Sequence, residues 1–311
     1  MRAVIMPEYG TQEQLRVDDV PAPEIEPDEM LIRVVAAGVN PVDWKVAAGY
    51  LDAAMPGRFP LIPGWDVAGV VERTGSEVRD YTEGDEVMGY VRYPEVQWGT
   101  YGEYTKARRH MVTRRPAGLG WSEAAGLPLA GLTAYQCLLA VEAGEGSVVV
   151  VHAAAGGVGS MAVQTAKAMG ASRVIGTASE RNFGYLEDLG AEPVTYGPGM
   201  IGRIENLLDG DRVTAALDLF GGGAVRDFLD LVPDPHGIVS IADPEAPQLG
   251  AQYVFVEPDS GHLETLGRMV DDGLLRVEVS RTLPLEDAAE AWVESRNGRT
   301  RGKIVLEVAR P

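Results

Sequence analysis

The chain has a single cysteine, Cys137, so neither an intrachain disulfide nor a thiolate zinc cluster can form from it. Cys137 lies in an apolar helical pattern, LTAYQCLLAV, which makes it a small packing residue of a core. Histidine is almost as scarce. His110, His152, His236 and His262 are dispersed, with no paired ligand spacing among them. Positive charge is short as well, with 27 Lys and Arg against 46 Asp and Glu and a net charge of −19. Such a surface repels a phosphate backbone and argues against a nucleic-acid partner. An anionic cofactor must then find local basic groups inside a repulsive field. No apolar run approaches the roughly 18 residues of a membrane span, so no membrane segment is expected. The opening MRAVIMPEYG lacks a signal-peptide layout, and cytoplasmic residence is the expectation.

What is present is an ordinary globular composition, 45% hydrophobic and 23% charged, over 311 residues, enough for two domains. The most informative run is Val148 to Lys167, VVVVHAAAGGVGSMAVQTAK. Four consecutive β-branched residues predict a strand covered on both faces. Gly156, Gly157 and Gly159 crowd a turn, and from Val158 the apolar spacing becomes helical, with Gly170 as the C-terminal cap. Strand, glycine turn and helix together predict a pyrophosphate site on the backbone of Ala155, Gly156, Gly157, Val158 and Gly159, where helix N–H groups and dipole favour negative charge. In G-x-G-x-x-G register the positions are Ala154, Gly156 and Gly159. Alanine in the first place fits if its φ is negative.

The residue that chooses between NAD and NADP is expected about 20 residues beyond the turn, at the end of the second strand. That point is TASERNF, which offers Ser179, Glu180 and Arg181 together. An acidic group binds ribose hydroxyls and a basic group accepts a 2′-phosphate, so the residues alone leave both open.

The first 120 residues or so read as strands and turns, with a hairpin from RAVIM and LRVDDV and a long strand at MLIRVVAAGV. From about Ser122 helical periods alternate with the short β runs VVVVH, RVIGTA, AALDLF and GIVSIA, which predicts a doubly wound parallel sheet and an α/β fold. The end of the chain offers helix, strand, helix and strand (HLETLGRMVDDGLL, RVEVSRTLPL, EDAAEAWVESRNG, KIVLEV) that can complete the first domain.

Six segments, AAGVNPVDWKVAAG, PLIPGWDVAGVV, GDEVMGY, LPLAGLTAYQCL, AAAGGVG and RGKIVLEV, occur in one order over nearly the whole chain. In this the chain resembles the medium-chain dehydrogenase/reductase superfamily, in its zinc-free quinone oxidoreductase branch. The resemblance implies a GroES-like β-rich catalytic domain (1–121, completed by 262–311), a Rossmann NADP-binding domain (122–261) and a site in the cleft between them. It also implies that no zinc is used. Trp65 of Gly64-Trp65-Asp66 stands at the family's ligating histidine, and the family's cysteine position falls around Asn40 to Val42.

The same resemblance puts Ser179 and Arg181 where a serine and a basic residue hold the 2′-phosphate, with Tyr196 packed nearby. NADPH is therefore the expected cofactor, with Lys303 and Arg301 adding positive charge close to it. Asn40 and Asp43 match polar residues lining the cleft, and Thr133 matches a threonine beside the nicotinamide. Lys45 would share a face with Asp43 if that turn is strand-like. Lys45 or Tyr50 is a candidate proton donor to the carbanion left by hydride addition, although Lys45 can equally pair with Asp43 and Tyr50 can be wall. Trp44, Trp65, Tyr90, Tyr93 and Trp98 fall where an aromatic slot would suit a flat conjugated acceptor, and Trp292 reads as packing. The expected activity is NADPH-dependent hydride transfer to a quinone or to the activated C=C of an α,β-unsaturated carbonyl. The alternatives are zinc-free ketone/alcohol interconversion and non-catalytic NADPH binding. The family's frequent homodimer would pair through AQYVFVE (251–257), a run that packing within a monomer also explains.

Overall fold

Strands dominate the first part of the chain in the computed structural model, which describes residues 1–309. β1 (Arg2–Ile5) and β2 (Arg16–Asp19) form an antiparallel ribbon. Then come β3 (Glu29–Val39), α1 (Pro41–Ala47), β4 (Gly57–Ile62), β5 (Asp66–Thr74), β6 (Glu86–Tyr90), β7 (Val96–Trp98), β8 (Tyr104–Arg108) and β9 (Val112–Arg114). Helices α2 (Trp121–Gly126) and α3 (Pro128–Ala140) follow. Strand and helix then alternate through β10 (Val148–Val151), α4 (Gly157–Ala168), β11 (Arg173–Ala178), α5 (Phe183–Asp188), β12 (Glu192–Thr195), α6 (Met200–Leu208), β13 (Ala215–Asp218), α7 (Ala224–Phe228), β14 (Ile238–Ser240) and β15 (Gln252–Tyr253). The chain finishes with α8 (Ser260–Asp271), β16 (Val279–Pro284), α9 (Ala288–Arg296) and β17 (Lys303–Glu307).

Two units result. The first holds residues 1–129, 258–271 and the stretch from Val277 onward; the second holds 130–257 and 272–276. The sequence pattern changes at 121/122, but the structural boundary comes later because α2 packs on β3, β5 and β17 of the first unit. Residues 272–276 belong with the second unit. The Gln164 amide accepts from Arg276 N–H (2.9 Å) and donates to Arg276 C=O (3.1 Å).

In the first unit the main sheet runs β16-β17-β3-β5-β6-β9, with β8 pairing the N-terminal half of β3. β3 is buried along almost its whole length, so its apolar run fills the core that Trp292 and Leu306 close from the C-terminal segment. In the second unit all six strands are parallel in the order β12-β11-β10-β13-β14-β15. Numbered within that unit this is 3-2-1-4-5-6, the doubly wound Rossmann order, whose direction reverses beside its first strand. Val148–Val151 is buried throughout, as four β-branched residues in a central strand should be.

One local expectation is corrected. The segment after Asn40 is a helix, not a strand-like turn. Pro41 takes its first position and Asp43 Oδ2 accepts the Asn40 N–H (2.8 Å). Residues two apart on a helix do not share a face, so Asp43 is buried while Lys45 is exposed. The helical run around residues 122–141 is broken at Leu127, because Pro128 starts a new helix. Of AQYVFVE only Gln252–Tyr253 is strand, at one edge of the parallel sheet.

Candidate active site

β10 delivers the chain to a turn at His152–Gly156, and α4 begins immediately after it. Gly156 is the N-cap of α4, extended at φ −77° and ψ 179°, with no side chain to cap the helix. The first-turn N–H groups therefore lack intrahelical partners. A Cβ on Gly156 would meet only Ala153 O, at 3.5 Å, so there is room above the turn. Gly159 is the opposite case, where a Cβ would sit 2.4 Å from Ala153 O and 2.6 Å from Ala154 Cα. Only glycine lets the helix come this close to the strand, which is the role of the third fingerprint glycine. Ala155 is buried, and Gly156, Gly157 and Val158 are half-buried. Ala154 is not among the residues of positive φ, so alanine is accommodated in the first glycine's place. The unusual residue is its neighbour Ala153, a non-glycine at φ +60°.

β11 and β12 are in register at Ala178 and Thr195, so Ser179 and Tyr196 step off adjacent strands at the same end. Ser179 precedes a short helical turn, Glu180–Asn182, in which Arg181 is exposed. Tyr196 is 58% exposed. Its loop is pinned by Arg203, whose guanidinium donates to the carbonyls of Thr195 (2.8 Å), Tyr196 (3.3 Å) and Pro198 (2.9 Å). Nothing in the sequence signals Arg203, because one arginine on a helix face carries no spacing. At the end of β13, buried Asp218 takes Phe220 N–H (3.1 Å) and Gly221 N–H (2.8 Å) on Oδ1 and the Ser240 hydroxyl (2.8 Å) on Oδ2. It thereby ties the loops after β13 and β14 together, holding up Phe220, 71% exposed and edge-on to His152 at 6.1 Å. Thr133 is buried on α3. The second unit thus fits a dinucleotide. An uncapped helix start suits a pyrophosphate, a serine and an arginine at the end of β11 suit a 2′-phosphate, and both lie at the strand ends where the winding reverses.

The first unit has a polar set of its own, almost closed to solvent. Asn40 donates from Nδ2 to Asp66 Oδ2 (2.8 Å), and its Oδ1 accepts from Lys303. The Lys303 ammonium also reaches Val39 C=O (3.2 Å) and lies 3.5 Å from Asp66 Oδ2, so three acceptors surround its three protons. Asp66 Oδ1 accepts Leu129 N–H (2.8 Å). Asp43 Oδ2 accepts the Tyr101 hydroxyl (2.7 Å) as well as Asn40 N–H, while Oδ1 has no partner. Trp292 Nε1 donates to Tyr101 Oη at 3.4 Å. Gly64, at φ +90°, bends the chain into Trp65 and Asp66, and a Cβ there would strike the Tyr101 ring at 2.3 Å. Burial drives the Asp43 carboxyl up to about 7 against the pull of its Asn40 and Tyr101 donors and of Lys303, with the Asp66 charge adding to the rise. Burial likewise raises Asp66, opposed chiefly by Lys303.

The structure therefore brings Asn40, Asp43 and Lys303 together, adds Asp66, Tyr101 and Trp292, and leaves Lys45 and Tyr50 outside. Lys45 is exposed, with Nζ 5.6 Å from the Trp44 ring centre, and Tyr50 is 73% exposed. Lys303, expected beside the cofactor, spends its charge on Asn40 and Asp66; Arg301 pairs with Glu278 (3.1 Å). The expected aromatic slot also dissolves in part. Trp65 and Tyr90 are buried against each other at 5.9 Å, and Trp44, Tyr93 and Trp98 pack against the first unit's core. No cluster of three or more metal-ligating His, Cys, Asp or Glu occurs among the described residues.

Residues 26–140 match the family described as alcohol dehydrogenase GroES-like domain, and residues 189–306 match the zinc-binding dehydrogenase family. Where the resemblance puts a ligating histidine this chain has Trp65, and its single thiol, Cys137, is buried. A chloroplast envelope quinone oxidoreductase homolog of Arabidopsis thaliana is 31% identical, over 93% of this chain and 92% of that protein. An NADPH-dependent alkenal/one oxidoreductase of the same plant is 32% identical, over 98% of this chain and 79% of the relative. Among solved structures, the quinone oxidoreductase from Coxiella burnetii superposes with a TM-score of 0.86 at 34% identity, covering 99% of both chains. The chain belongs to the medium-chain dehydrogenase/reductase superfamily, in its quinone oxidoreductase branch.

Proposed function

We propose that this chain is an NADPH-dependent, zinc-independent oxidoreductase that reduces a quinone or the activated C=C bond of an α,β-unsaturated carbonyl. The observation that carries the proposal is the glycine turn at the head of α4, with Ser179, Arg181 and Tyr196 leaving the two neighbouring strands at the same end. Relatives named for quinone and for NADPH-dependent alkenal/one oxidoreduction support the acceptor class.

NADPH bound at this turn supplies the hydride. The backbone from Ala155 to Gly159 would hold the pyrophosphate, and Ser179 and Arg181, with Tyr196 at the same end, would hold the 2′-phosphate. Thr133, buried on α3, would serve the nicotinamide end. Asn40, Asp43 and Lys303 act by position: their hydrogen bonds to one another, to Asp66 and to Tyr101 fix the start of α1 against β5 and β17. The proton that follows the hydride is assigned to Lys45 or Tyr50, the exposed donors of this segment.

The test is NADPH oxidation against 1,4-benzoquinone, an α,β-unsaturated ketone and a simple ketone. Turnover of either conjugated acceptor supports the proposal. Turnover of the simple ketone alone replaces it with ketone/alcohol interconversion, and tight NADPH binding without turnover replaces it with a binding protein.

We further propose a homodimer paired through the β15 edge, supported by Tyr253 and Phe255 there, each 38% exposed. A sedimentation profile of a single monomeric species at micromolar concentration would overturn it. Cytoplasmic residence is proposed from the sequence alone, and recovery in an organelle fraction of the source cells would overturn that.

A further inference from the structure

We propose that Thr177 and His152 form a lock that holds Ala153 in the left-handed conformation and so keeps the pyrophosphate turn in its binding shape. The inference rests on reading that turn as the NADPH site, and it makes Thr177 and His152 positioning residues.

The starting observation is the backbone. Ala153 sits at φ +60°, a conformation that alanine adopts only when its surroundings impose it. Its orientation matters because its carbonyl lies at the centre of the turn. Ala153 O accepts Gly156 N–H (3.2 Å), and it is the atom that a Cβ on Gly159 would strike at 2.4 Å. Moving Ala153 to negative φ would swing this carbonyl away from Gly156 and disturb the approach of α4 to the strand.

What imposes the conformation is Thr177 on β11. Its side-chain oxygen accepts Ala153 N–H (3.2 Å), and its main-chain carbonyl accepts Ala154 N–H (3.0 Å). One residue thus takes both N–H groups that flank the strained unit. The Thr177 hydroxyl is itself oriented by His152 Nδ1 at 2.7 Å. His152 is fixed in turn. Its N–H donates to Leu217 C=O on β13 (2.9 Å), and its ring packs edge-on against Phe220 and Phe228 at 6.1 and 6.0 Å. Burial lowers the His152 pKa against the pull of Asp218 and Asp227, which favours the neutral ring. The turn is thereby strapped to β11 on one side and β13 on the other, the two strands that flank β10.

The experiment uses the full chain. Thr177→Val keeps the shape and removes the hydroxyl, and it should raise the Kd for NADPH about 5- to 10-fold, the worth of one hydrogen bond. Thr177→Ser should stay within about twofold of wild type, because it keeps the bond. Adding Ala153→Gly to Thr177→Val should recover most of the lost affinity, since glycine takes positive φ without help. An unchanged Kd in Thr177→Val, or a loss that Ala153→Gly does not recover, overturns the lock. Amide exchange at Ala153 and Ala154 in the cofactor-free protein should be faster in Thr177→Val, and equal exchange also overturns it. If the wild type itself fails to bind NADPH, the functional proposal falls, while the exchange rates still decide the lock.

Discussion

Replacing Asp43 by asparagine should change how the stability of the first unit depends on pH. Asp43 is 3% exposed, its Oδ1 has no partner, and burial moves its carboxyl from 3.8 to about 7. A raised carboxyl means that the folded state binds a proton more tightly than the unfolded chain. Stability from this group is therefore complete below about pH 4 and is lost as pH rises toward 7, then levels off. At about 1.4 kcal/mol per pH unit, the loss amounts to roughly 4 kcal/mol. Asparagine keeps the shape and an oxygen for the Asn40 and Tyr101 donors, and it cannot titrate. All five tryptophans, at 44, 65, 98, 121 and 292, lie in the first unit, so urea unfolding followed by tryptophan fluorescence reports on that unit. Near pH 4.5 the two proteins should be close in stability. Above pH 7 Asp43→Asn should be the more stable by several kcal/mol. Parallel stability curves from pH 4.5 to 8 would refute the account of Asp43 as a carboxyl held protonated by burial.

Three further outcomes follow from the same geometry. Lys303→Met leaves Asp66 and the Asn40 amide without their cation in a closed environment, and should cost about 3 to 5 kcal/mol by the same fluorescence assay. A cost under about 1 kcal/mol would mean that the pair is not buried as described. Gly159→Ala drives a methyl into Ala153 O and should cost about 1 to 3 kcal/mol in the second unit, measured by circular dichroism, together with NADPH affinity. Arg181→Ala should weaken NADPH about 10- to 100-fold while NADH changes little, and equal losses would place the 2′-phosphate elsewhere.

The Rossmann unit was legible because its signals are local. Four valines in a row, three close glycines and a helical period are contiguous, and the order β12-β11-β10-β13-β14-β15 is the one the doubly wound fold adopts. The first unit was legible mainly through its resemblance to a family. Strands such as β7 and β9 have three residues each and leave no period to read. The helix α1 was hidden by a proline and a polar cluster that read equally well as a turn.

The polar set failed to show for another reason. Asn40, Asp66 and Lys303 meet across separations of 26 and 263 residues, and no spacing encodes that meeting. Trp65 and Tyr90 misled because an aromatic residue in a strand reads alike whether it lines a pocket or fills a core. Ala153 carries no signal of its own beside Ala154, because φ is invisible in a sequence. The candidate site was thus readable where backbone makes it, and unreadable where side chains from distant segments do.

The most direct test of the central claim follows the hydride. The chelator-treated protein is given NADPH deuterated at the transferred position of the nicotinamide together with an α,β-unsaturated ketone. The account predicts a saturated ketone carrying deuterium on the carbon β to the carbonyl. Deuterium on the carbonyl carbon of an alcohol, or loss of all turnover on metal removal, would contradict it.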